Sequence, residues 1–270
     1  RLDHFDLIIT TKYPAWNIRH RNHIIYLGHR LRGLYDTYPI PPEQDSIWKS
    51  GPFQFPGPWI RRIVHWLDHR AIRPETISHA FCTSQTIAGR SEYFHPDLPP
   101  TVVYHSTVRE DYIRKPGEHL FTVNRLDGPK RVDLMIRAYR RVRTDTPFFI
   151  AGTGPQSAYL KNLAGDDRRI RFLGDVSEET LRDLYARSVA VLYTPYREDY
   201  GLITVEAMKS GKPVITTADA GGPLEFVRTG VNGWVADPNP ESLAEAIRDA
   251  VRTGDHLESM GLRAMETVKH

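Results

Sequence analysis

The second half of the chain alternates between short apolar runs and stretches with helical spacing, from about residue 119 to about residue 251. The apolar runs have the length of buried strands, and most of them are followed by a stretch with apolar residues every three to four positions. Such alternation is typical of a parallel sheet with helices packed on both faces. We therefore predict an α/β unit with a parallel sheet in this region.

The predicted elements follow directly from this pattern. The strands are expected at 119–123, 148–151, 170–173, 189–193, 213–216 and 233–235. The helices are expected at 132–143, 156–163, 177–186, 202–210, from 223 onward, and at 240–251.

The first half shows the same alternation less regularly. Residues 39–58 are rich in proline, which predicts a long loop. Residues 105–118 have the composition of an interdomain linker, so we predict one domain over 1–115 and another over 116–270. The remaining elements expected here are strands at 6–11, 24–27, 80–84 and 102–104 and helices at 59–72 and 85–94.

Charge and composition exclude several classes of protein. A formal net charge of +3 is too small to indicate a nucleic-acid-binding protein. The single cysteine, Cys82, excludes an internal disulfide and favours a reducing, cytoplasmic compartment. The sequence contains no apolar run long enough to predict a membrane span. The basic helix predicted at 59–72 keeps open a peripheral contact with an anionic membrane surface at the inner face.

Two glutamates, Glu198 and Glu206, lie eight residues apart on either side of Gly201. The residues before Gly201 predict a loop, whereas 202–210 have helical spacing, so Glu198 is expected on a loop and Glu206 about one turn inside a helix. The free N–H groups at the start of that helix would bind an anion such as phosphate. Taken alone, the two carboxylates are also typical of exposed surface residues.

Other loops are expected at the same edge of the sheet. Arg125 and Lys130 follow the first predicted strand of this half, and two cations on one turn could clamp a diphosphate or simply face solvent. A glycine turn at 152–155 follows the next strand, although its spacing is not that of a dinucleotide fingerprint. A second helix N-terminus is expected at 223. Ligands of open α/β sheets bind at such strand ends, and a nucleotide is the usual ligand.

Histidines of the first half give weaker signals. His29 follows the strand predicted at 24–27, where it could donate a hydrogen bond to a ligand or serve as a structural hydrogen-bonding group. His65 and His69 have a spacing that zinc sites use, but no third ligand is nearby in sequence. We therefore predict no metal site.

Together these motifs resemble the retaining, GT-B-fold glycosyltransferases of family 4, the glycosyl transferases group 1. Glu198 and Glu206, in REDYGLITVEAM, look like the E-x7-E signature of that family. Arg125 and Lys130, in NRLDGPK, are similar to its paired arginine and lysine. The resemblance also covers the glycine turn, FLGDV at 172–176 and GKPVITTADAGGPLEFVRTGVNGW, and in the first half only YLGH and FCTSQTIAGR.

The resemblance implies an α/β chain with the GT-B fold, in which two Rossmann-like domains with parallel sheets face a cleft. Residues 1–115 would be the acceptor-side domain and 116–270 the donor-binding domain. The glycine-rich loop that opens the family's first domain and its closing C-terminal helix have no counterpart here, which implies a fragment with an incomplete N-terminal domain. Asn124 and Arg131 stand where the family commonly has glycine.

The implied activity is retaining transfer of a hexose from a nucleotide-diphosphate-sugar to a glycan or lipid-linked acceptor. By resemblance, Glu206 would bind the ribose hydroxyls and Glu198 the hydroxyls of the donor sugar. Arg125 and Lys130 would neutralise the leaving diphosphate, and His29 would lie near the sugar. The remaining donor-binding positions implied by the resemblance are Gly201, Leu202 and Ile203 for phosphate, and Gly152, Gly154 and Val176.

The expected donor is a UDP-, GDP- or ADP-sugar. We expect no cofactor, and no metal because the sequence lacks a paired-aspartate motif. Two alternatives remain open: a nucleotide-sugar-binding module without activity, and a nucleotide-sugar epimerase of the same fold. The glutamate signature together with Arg125 and Lys130 favours the transferase.

Overall fold

The computed structural model describes residues 2, 4–35, 57–107, 111–252, 254 and 256–269. Most of the loop predicted at 39–58 therefore lies outside the described residues. The chain divides into two compact units, Arg1–His105 and Ser106–His270. This division lies about ten residues before the domain boundary that the sequence indicated.

The segment just before the second sheet is held by that unit. Lys115 and Glu118 donate their backbone N–H groups to the carbonyls of Ala186 and Arg187, at 3.0 and 2.7 Å. The Lys115 ammonium also lies 2.6 Å from the Asp183 carboxylate. These contacts explain why residues that have the composition of a linker pack with the second unit.

The first unit contains a four-stranded sheet in the order β1-β2-β3-β4, with all neighbours parallel. Each predicted strand is confirmed with slightly different ends. The helix predicted at 85–94 is wrong beyond residue 88, because Gly89 ends it after a single turn that Ser84 caps. The elements are β1 (Ile8–Thr10), β2 (His23–Leu27), α1 (Gly57–Ala71), β3 (His79–Cys82), α2 (Gln85–Ala88) and β4 (Thr101–Val102).

A polar network anchors α1 inside the first unit. The Asp68 carboxylate is fully buried and accepts hydrogen bonds from Trp16 Nε1 and from the Tyr35 hydroxyl, both at 2.8 Å. Burial of an aspartate is tolerable only with such partners. His65 lies on the same helix, with Nε2 2.8 Å from the Leu34 carbonyl oxygen and its ring stacked on Tyr35. His65 is therefore a structural hydrogen-bonding group.

The second unit contains a six-stranded parallel sheet in the order β10-β9-β8-β5-β6-β7. The predicted strands are all confirmed within one residue at each end. The strands are β5 (His119–Val123), β6 (Phe148–Ala151), β7 (Ile170–Gly174), β8 (Ser188–Leu192), β9 (Val214–Thr217) and β10 (Gly233–Ala236).

Helices connect these strands, and two differences from the sequence prediction stand out. The α-helix predicted from 223 is wrong, because the segment forms only a four-residue 3-10 helix before the chain turns into β10. A helix at His256–Thr267 was not predicted. The helices are α3 (Val132–Tyr139), α4 (Ser157–Ala164), α5 (Glu178–Ala186), α6 (Leu202–Lys209), α7 (Pro240–Arg252) and α8 (His256–Thr267).

Alternate residues of the central strands face opposite sides of the second sheet. Leu120 and Leu192 pack in one buried cluster with α3, α4 and α7. Phe121 and Val191 pack in the other, with α5 and α6. Burial on both faces explains why these strands are continuous apolar runs in the sequence.

The connectivity sets the position of a crevice. From β5 the chain adds β6 and β7 on one side, then returns to add β8 on the other side of β5. The loops that follow β5 and β8 thus leave the sheet in opposite directions. Such a switch point, at the carboxyl ends of parallel strands, is where open α/β sheets bind ligands.

Candidate functional site

The loops after β5 and β8 meet at the switch point through Lys130 and Glu198. Lys130 Nζ lies 2.6 Å from Glu198 Oε2 and donates a longer bond, 3.2 Å, to the Tyr193 hydroxyl. The two charged side chains are only 21% and 15% exposed, so their attraction is screened less than that of a surface pair. Two residues that the sequence placed on separate loops are therefore in direct contact.

Arg125 has a different environment from Lys130. Its side chain is 74% exposed, and its Nε lies 3.3 Å from Asp127 Oδ2. The two cations predicted to act together are thus on one loop, but they contact different carboxylates.

Gly201 separates the Glu198 loop from α6 in a conformation that other residues avoid. Its φ is +87°, and an added Cβ would lie 2.9 Å from the Tyr193 ring and 3.0 Å from Pro223. Helix α6 begins at the next residue, as predicted. As at any helix start, the N–H groups of Leu202 and Ile203 lack partners within the helix. These groups lie four and five residues after Glu198 in the chain.

Glu206 lies in the second turn of α6, and a buried tyrosine holds it. The Tyr185 hydroxyl donates a 2.8 Å hydrogen bond to Glu206 Oε2. Burial, reinforced by the Glu206 charge, raises the pKa of Tyr185 well above its ordinary value, so the phenol keeps its proton. Tyr185 was not predicted as a site residue, since it appears in the sequence as one more apolar position of α5.

The glycine turn after β6 supports the Arg125 loop by direct backbone contact. Gly152 has φ +104°, and a Cβ there would lie 2.0 Å from the Asn124 carbonyl oxygen. A Cβ on Gly154 would lie 2.4 Å from the Leu126 carbonyl oxygen. The backbone N–H of Leu126 also donates to the carbonyl of Thr153 at 2.9 Å. Only glycine permits this packing; nucleotide binding by the two glycines stays a prediction.

The loop after β9 fixes the backbone of Glu198. The Glu198 N–H donates to the Ala220 carbonyl at 2.7 Å, and its carbonyl accepts from the Gly222 N–H at 2.8 Å. Gly221 makes this approach possible, because a Cβ at this residue would lie 2.4 Å from the Glu198 oxygen. The glycines of this segment were predicted to start a helix; their structural effect is to hold the Glu198 loop.

Arg131, next to Lys130, is buried and was not predicted as a site residue. Its bidentate bonds join Nη1 to Asp219 Oδ2 at 2.8 Å and Nη2 to Asp219 Oδ1 at 2.7 Å. The same guanidinium donates to the carbonyls of Thr194 and Pro195 and to the Thr217 hydroxyl, each at 2.8 Å. Its backbone is left-handed, with φ +49°. This residue therefore joins the loops after β5, β8 and β9.

The structure gives Val176 and His29 other contacts. Val176 follows β7 and packs, partly buried, on the same apolar cluster as Tyr185. His29 belongs to the first unit, where its Nδ1 lies 2.8 Å from the Arg30 carbonyl oxygen. The predicted roles of both residues stay predictions.

The part of the chain that the structure describes lacks the features of a metal site or of a membrane span. It contains no group of three or more His, Cys, Asp or Glu side chains placed to hold a metal ion. None of its helices is both long enough and apolar enough to cross a bilayer.

Residues 108–267 match the family model described as glycosyl transferases group 1. This match covers more than half of the chain, and the chain belongs to that family of glycosyltransferases. Its fold is GT-B, as the sequence resemblance implied.

Individual relatives match smaller parts of the chain. The glycosyltransferase MJ1607 of Methanocaldococcus jannaschii is 35% identical over 128 residues, which cover 45% of this chain and 33% of that protein. The mouse α-1,3/1,6-mannosyltransferase ALG2 is 28% identical over 173 residues, which cover 57% of this chain and 41% of that protein. The chain thus spans well under half the length of these curated relatives.

A solved structure extends the likeness over most of the chain. Anabaena HepE in complex with UDP and glucose has a TM-score of 0.68 and 21% identity, over 92% of this chain and 66% of that one. At this identity the likeness shows the fold alone.

Proposed function

We propose that this protein transfers a hexose from a nucleotide-diphosphate-sugar to a glycan or lipid-linked acceptor, with retention of the anomeric configuration. The observation that supports it most is the 2.6 Å contact between Lys130 and Glu198 at the switch point. This contact combines a cation suited to a diphosphate with a carboxylate suited to sugar hydroxyls. The start of α6, a few residues further on, supplies backbone N–H groups for phosphate.

The proposed chemistry follows from where charge develops. Cleavage of the sugar–phosphate bond makes an oxocarbenium-like sugar and a diphosphate with additional negative charge. Lys130, Arg125 and the positive end of α6 then stabilise the transition state more than the ground state. The leaving phosphate oxygen accepts the proton of the acceptor hydroxyl, which attacks on the same face. Glu198 and Glu206 bind hydroxyl groups and are not the acid and base of a hydrolase.

Glu206 is the proposed ribose ligand. Tyr185 holds its Oε2, which fixes the carboxylate relative to the sheet edge. Two ribose hydroxyls can then donate to an acceptor that is already oriented, which reduces the entropy lost on binding. The other proposed donor contacts are the backbone of Gly201, Leu202 and Ile203, the residues Gly152, Gly154 and Val176, and His29 near the sugar.

The donor carries UDP, GDP or ADP in this proposal, and no metal takes part. The names of the relatives support a sugar donor without selecting one. ALG2 is a mannosyltransferase, and the HepE complex contains UDP and glucose.

We place the protein in the cytoplasm, in contact with the inner face of a membrane. Helix α1 supports this location, because Trp59, Ile63 and Trp66 are 68%, 56% and 61% exposed. Arg62 and Arg70 are exposed on the same helix, a composition that favours anionic interfaces. Sedimentation with phosphatidylglycerol vesicles should exceed that with phosphatidylcholine vesicles, and Trp59→Ser with Trp66→Ser should abolish the difference. Equal sedimentation with the two lipids would refute the contact.

The decisive experiment incubates the full-length protein with UDP-, GDP- and ADP-sugars and acceptor glycans. Donor consumption and the anomeric configuration of the product are measured by NMR. We expect one donor to be consumed with retention, and Glu206→Ala to weaken nucleotide binding at least tenfold. Glu245→Ala, which removes an exposed glutamate from α7, is the matched control.

Each alternative has its own signature in the same experiment. An epimerase would convert the donor sugar without acceptor, and a binding module would bind nucleotide without consuming the donor. Unchanged binding in Glu206→Ala would show that the site is assigned to the wrong residues.

A further inference from the structure

We propose that Arg131 is a positioning residue that keeps Lys130 and Glu198 in register across the switch point. The effect of Arg131 on catalysis rests on the transfer reaction proposed above. In this role the buried side chain of Arg131 need not touch either substrate.

The backbone of Arg131 first indicates a constraint. A φ of +49° places it in the left-handed region, which residues with a Cβ rarely adopt. Arg197, the residue before Glu198, is also left-handed, with φ +48°. The two residues thus adjoin the two members of the ion pair, Lys130 and Glu198. Strained backbone of this kind persists only where surrounding contacts compensate it.

The guanidinium of Arg131 supplies that compensation. Five hydrogen bonds connect it to the loop after β8 and to the end of β9 and the loop that follows it. The Asp219 pair is bidentate, and the cation lies 5.7 Å from the centre of the Tyr196 ring. A planar fork of donors suits this arrangement better than the single ammonium of lysine would.

These bonds act on the backbone beside both charged partners. On the Glu198 side, the Arg197 N–H donates to the Asp219 carbonyl at 3.0 Å. On the Lys130 side, Arg131 is the next residue in the chain, and the Pro129 carbonyl accepts from the Tyr196 N–H at 2.8 Å. A shift of the Arg131–Asp219 pair would therefore change the distance between Lys130 and Glu198.

Arg131 is poorly placed to bind substrate itself. Its side chain is only 10% exposed, and its Nε, Nη1 and Nη2 atoms all donate to protein groups. Its effect must pass through the neighbours that it holds.

A second, partly exposed ion pair in the same unit provides a control with similar contacts. Arg169 makes bidentate bonds to Asp167, donates to the carbonyls of Val142 and Thr144, and lies over the Tyr139 ring. Its guanidinium makes four hydrogen bonds, against five for Arg131, and they are of the same kinds except for the bond to a hydroxyl. The bonds of Arg169 lie just before β6 and β7, at the amino ends of the strands, whereas the switch point lies at the carboxyl ends. A purely structural role would make the two arginines equivalent in every assay.

The test compares Arg131→Gly, Arg131→Lys, Asp219→Asn and Arg169→Ala in the full-length protein. Glycine adopts the left-handed backbone readily, so Arg131→Gly removes the hydrogen bonds of the guanidinium without adding backbone strain. We expect kcat to fall about 100-fold in Arg131→Gly and about 10-fold in Arg131→Lys, with KM for the donor changed less than threefold. Arg169→Ala should lower the Tm and leave kcat within twofold of wild type.

Hydrogen exchange supplies a readout that does not depend on turnover. The amides of Thr194 and of residues 196–198 should exchange at least tenfold faster in Arg131→Gly than in wild type or Arg169→Ala. If Arg131→Gly fails to fold, Asp219→Asn decides, because it retains the arginine and loses only the charged partner.

The outcomes separate the two proposals. Unchanged hydrogen exchange, or wild-type kcat in Arg131→Gly, would overturn the positioning role of Arg131. Either result would leave the proposed transferase activity standing. Equal losses of kcat in Arg131→Gly and Arg169→Ala would also overturn the positioning role, since the role would then be stability alone. A wild-type protein that consumes no donor overturns the proposed function, and hydrogen exchange still decides whether Arg131 orders the loops.

Discussion

The amino ends and the carboxyl ends of the strands form two opposite edges of the six-stranded sheet, the amino edge and the carboxyl edge. These edges hold arginine–aspartate pairs in different ways. At the amino edge, the bidentate pair of Arg169 and Asp167 closes a contact between residues two apart in sequence. At the carboxyl edge, Arg131 and Asp219 join segments 88 residues apart. Both non-glycine residues with left-handed φ in the described part of the chain, Arg131 and Arg197, lie at the carboxyl edge. Ion pairs alone do not distinguish a site from a structural contact. Strained backbone beside such a pair points to a functional site.

The largest expected effect comes from comparing two lysines, one at each edge of the sheet. Lys130→Ala should lower kcat for donor consumption about 100- to 1,000-fold, the usual cost of removing one preorganised group from a developing negative charge. Lys115→Ala is the control at the amino edge, since Lys115 also lies 2.6 Å from a carboxylate, that of Asp183. It should leave kcat within twofold of wild type. Comparable losses in both variants would remove the distinction between the edges.

Arg125 should contribute less than Lys130. Its side chain is 74% exposed, so solvent screens its charge before the donor binds. We expect Arg125→Ala to lower kcat about 10-fold, roughly one charge-assisted hydrogen bond. The same initial-rate assay measures it, and a loss greater than that of Lys130→Ala would reverse the assigned importance of the two cations.

Two buried tyrosines give the next comparison. Tyr185→Phe removes the 2.8 Å bond to Glu206 and should weaken nucleotide affinity about fivefold, measured by calorimetry. Tyr139, which donates to the Thr146 carbonyl at 2.6 Å, is the control at the amino edge. Burial raises the pKa of Tyr139 to about 12. Loss of its hydroxyl in Tyr139→Phe should lower the free energy of unfolding by about 1 kcal/mol without changing the nucleotide affinity. Weaker binding in Tyr139→Phe would show that the effect is not local to the site.

Glycines test the backbone difference between the edges. Gly152→Ala places a Cβ 2.0 Å from the Asn124 carbonyl oxygen, whereas Gly230, with φ +75°, has open space around it. Gly230→Ala should cost only the left-handed strain, about 1–2 kcal/mol, and Gly152→Ala about 2 kcal/mol more for the overlap. Urea denaturation of the two variants measures the difference. Equal losses would mean that the loop after β5 moves aside freely.

The sequence predicted the second sheet closely because buried parallel strands are continuous apolar runs. It failed where a local pattern had two solutions, as at Gly222–Glu225, where glycine and proline begin a 3-10 helix and not an α-helix. Glu198 and Lys130 were found as motif residues, but their contact was not. Arg131 was named only because it stands where the family commonly has glycine. Its left-handed φ explains why glycine is common at this position. Its bond to Asp219 depends on the fold and leaves no local signal.

The smallest expected effect concerns Lys212, a buried lysine at the amino edge. Lys212 is only 4% exposed, and its Nζ donates a hydrogen bond to the Lys115 carbonyl at 2.6 Å. Burial, with a smaller contribution from Arg114, lowers the pKa of Lys212 to about 8 from its ordinary 10.5. Between these values the unfolded state binds more protons than the folded state, so the stability contribution of Lys212 rises with pH.

Lys212→Met removes this titration, and its control is Lys161→Met, which removes an exposed lysine. From pH 7.5 to pH 9, wild type should gain about 1 kcal/mol of unfolding free energy relative to Lys212→Met, measured by urea denaturation at each pH. Donor binding at the carboxyl edge should not follow this pH dependence. If the Lys212→Met and wild-type stability curves stay parallel, the ammonium is better solvated than its burial indicates.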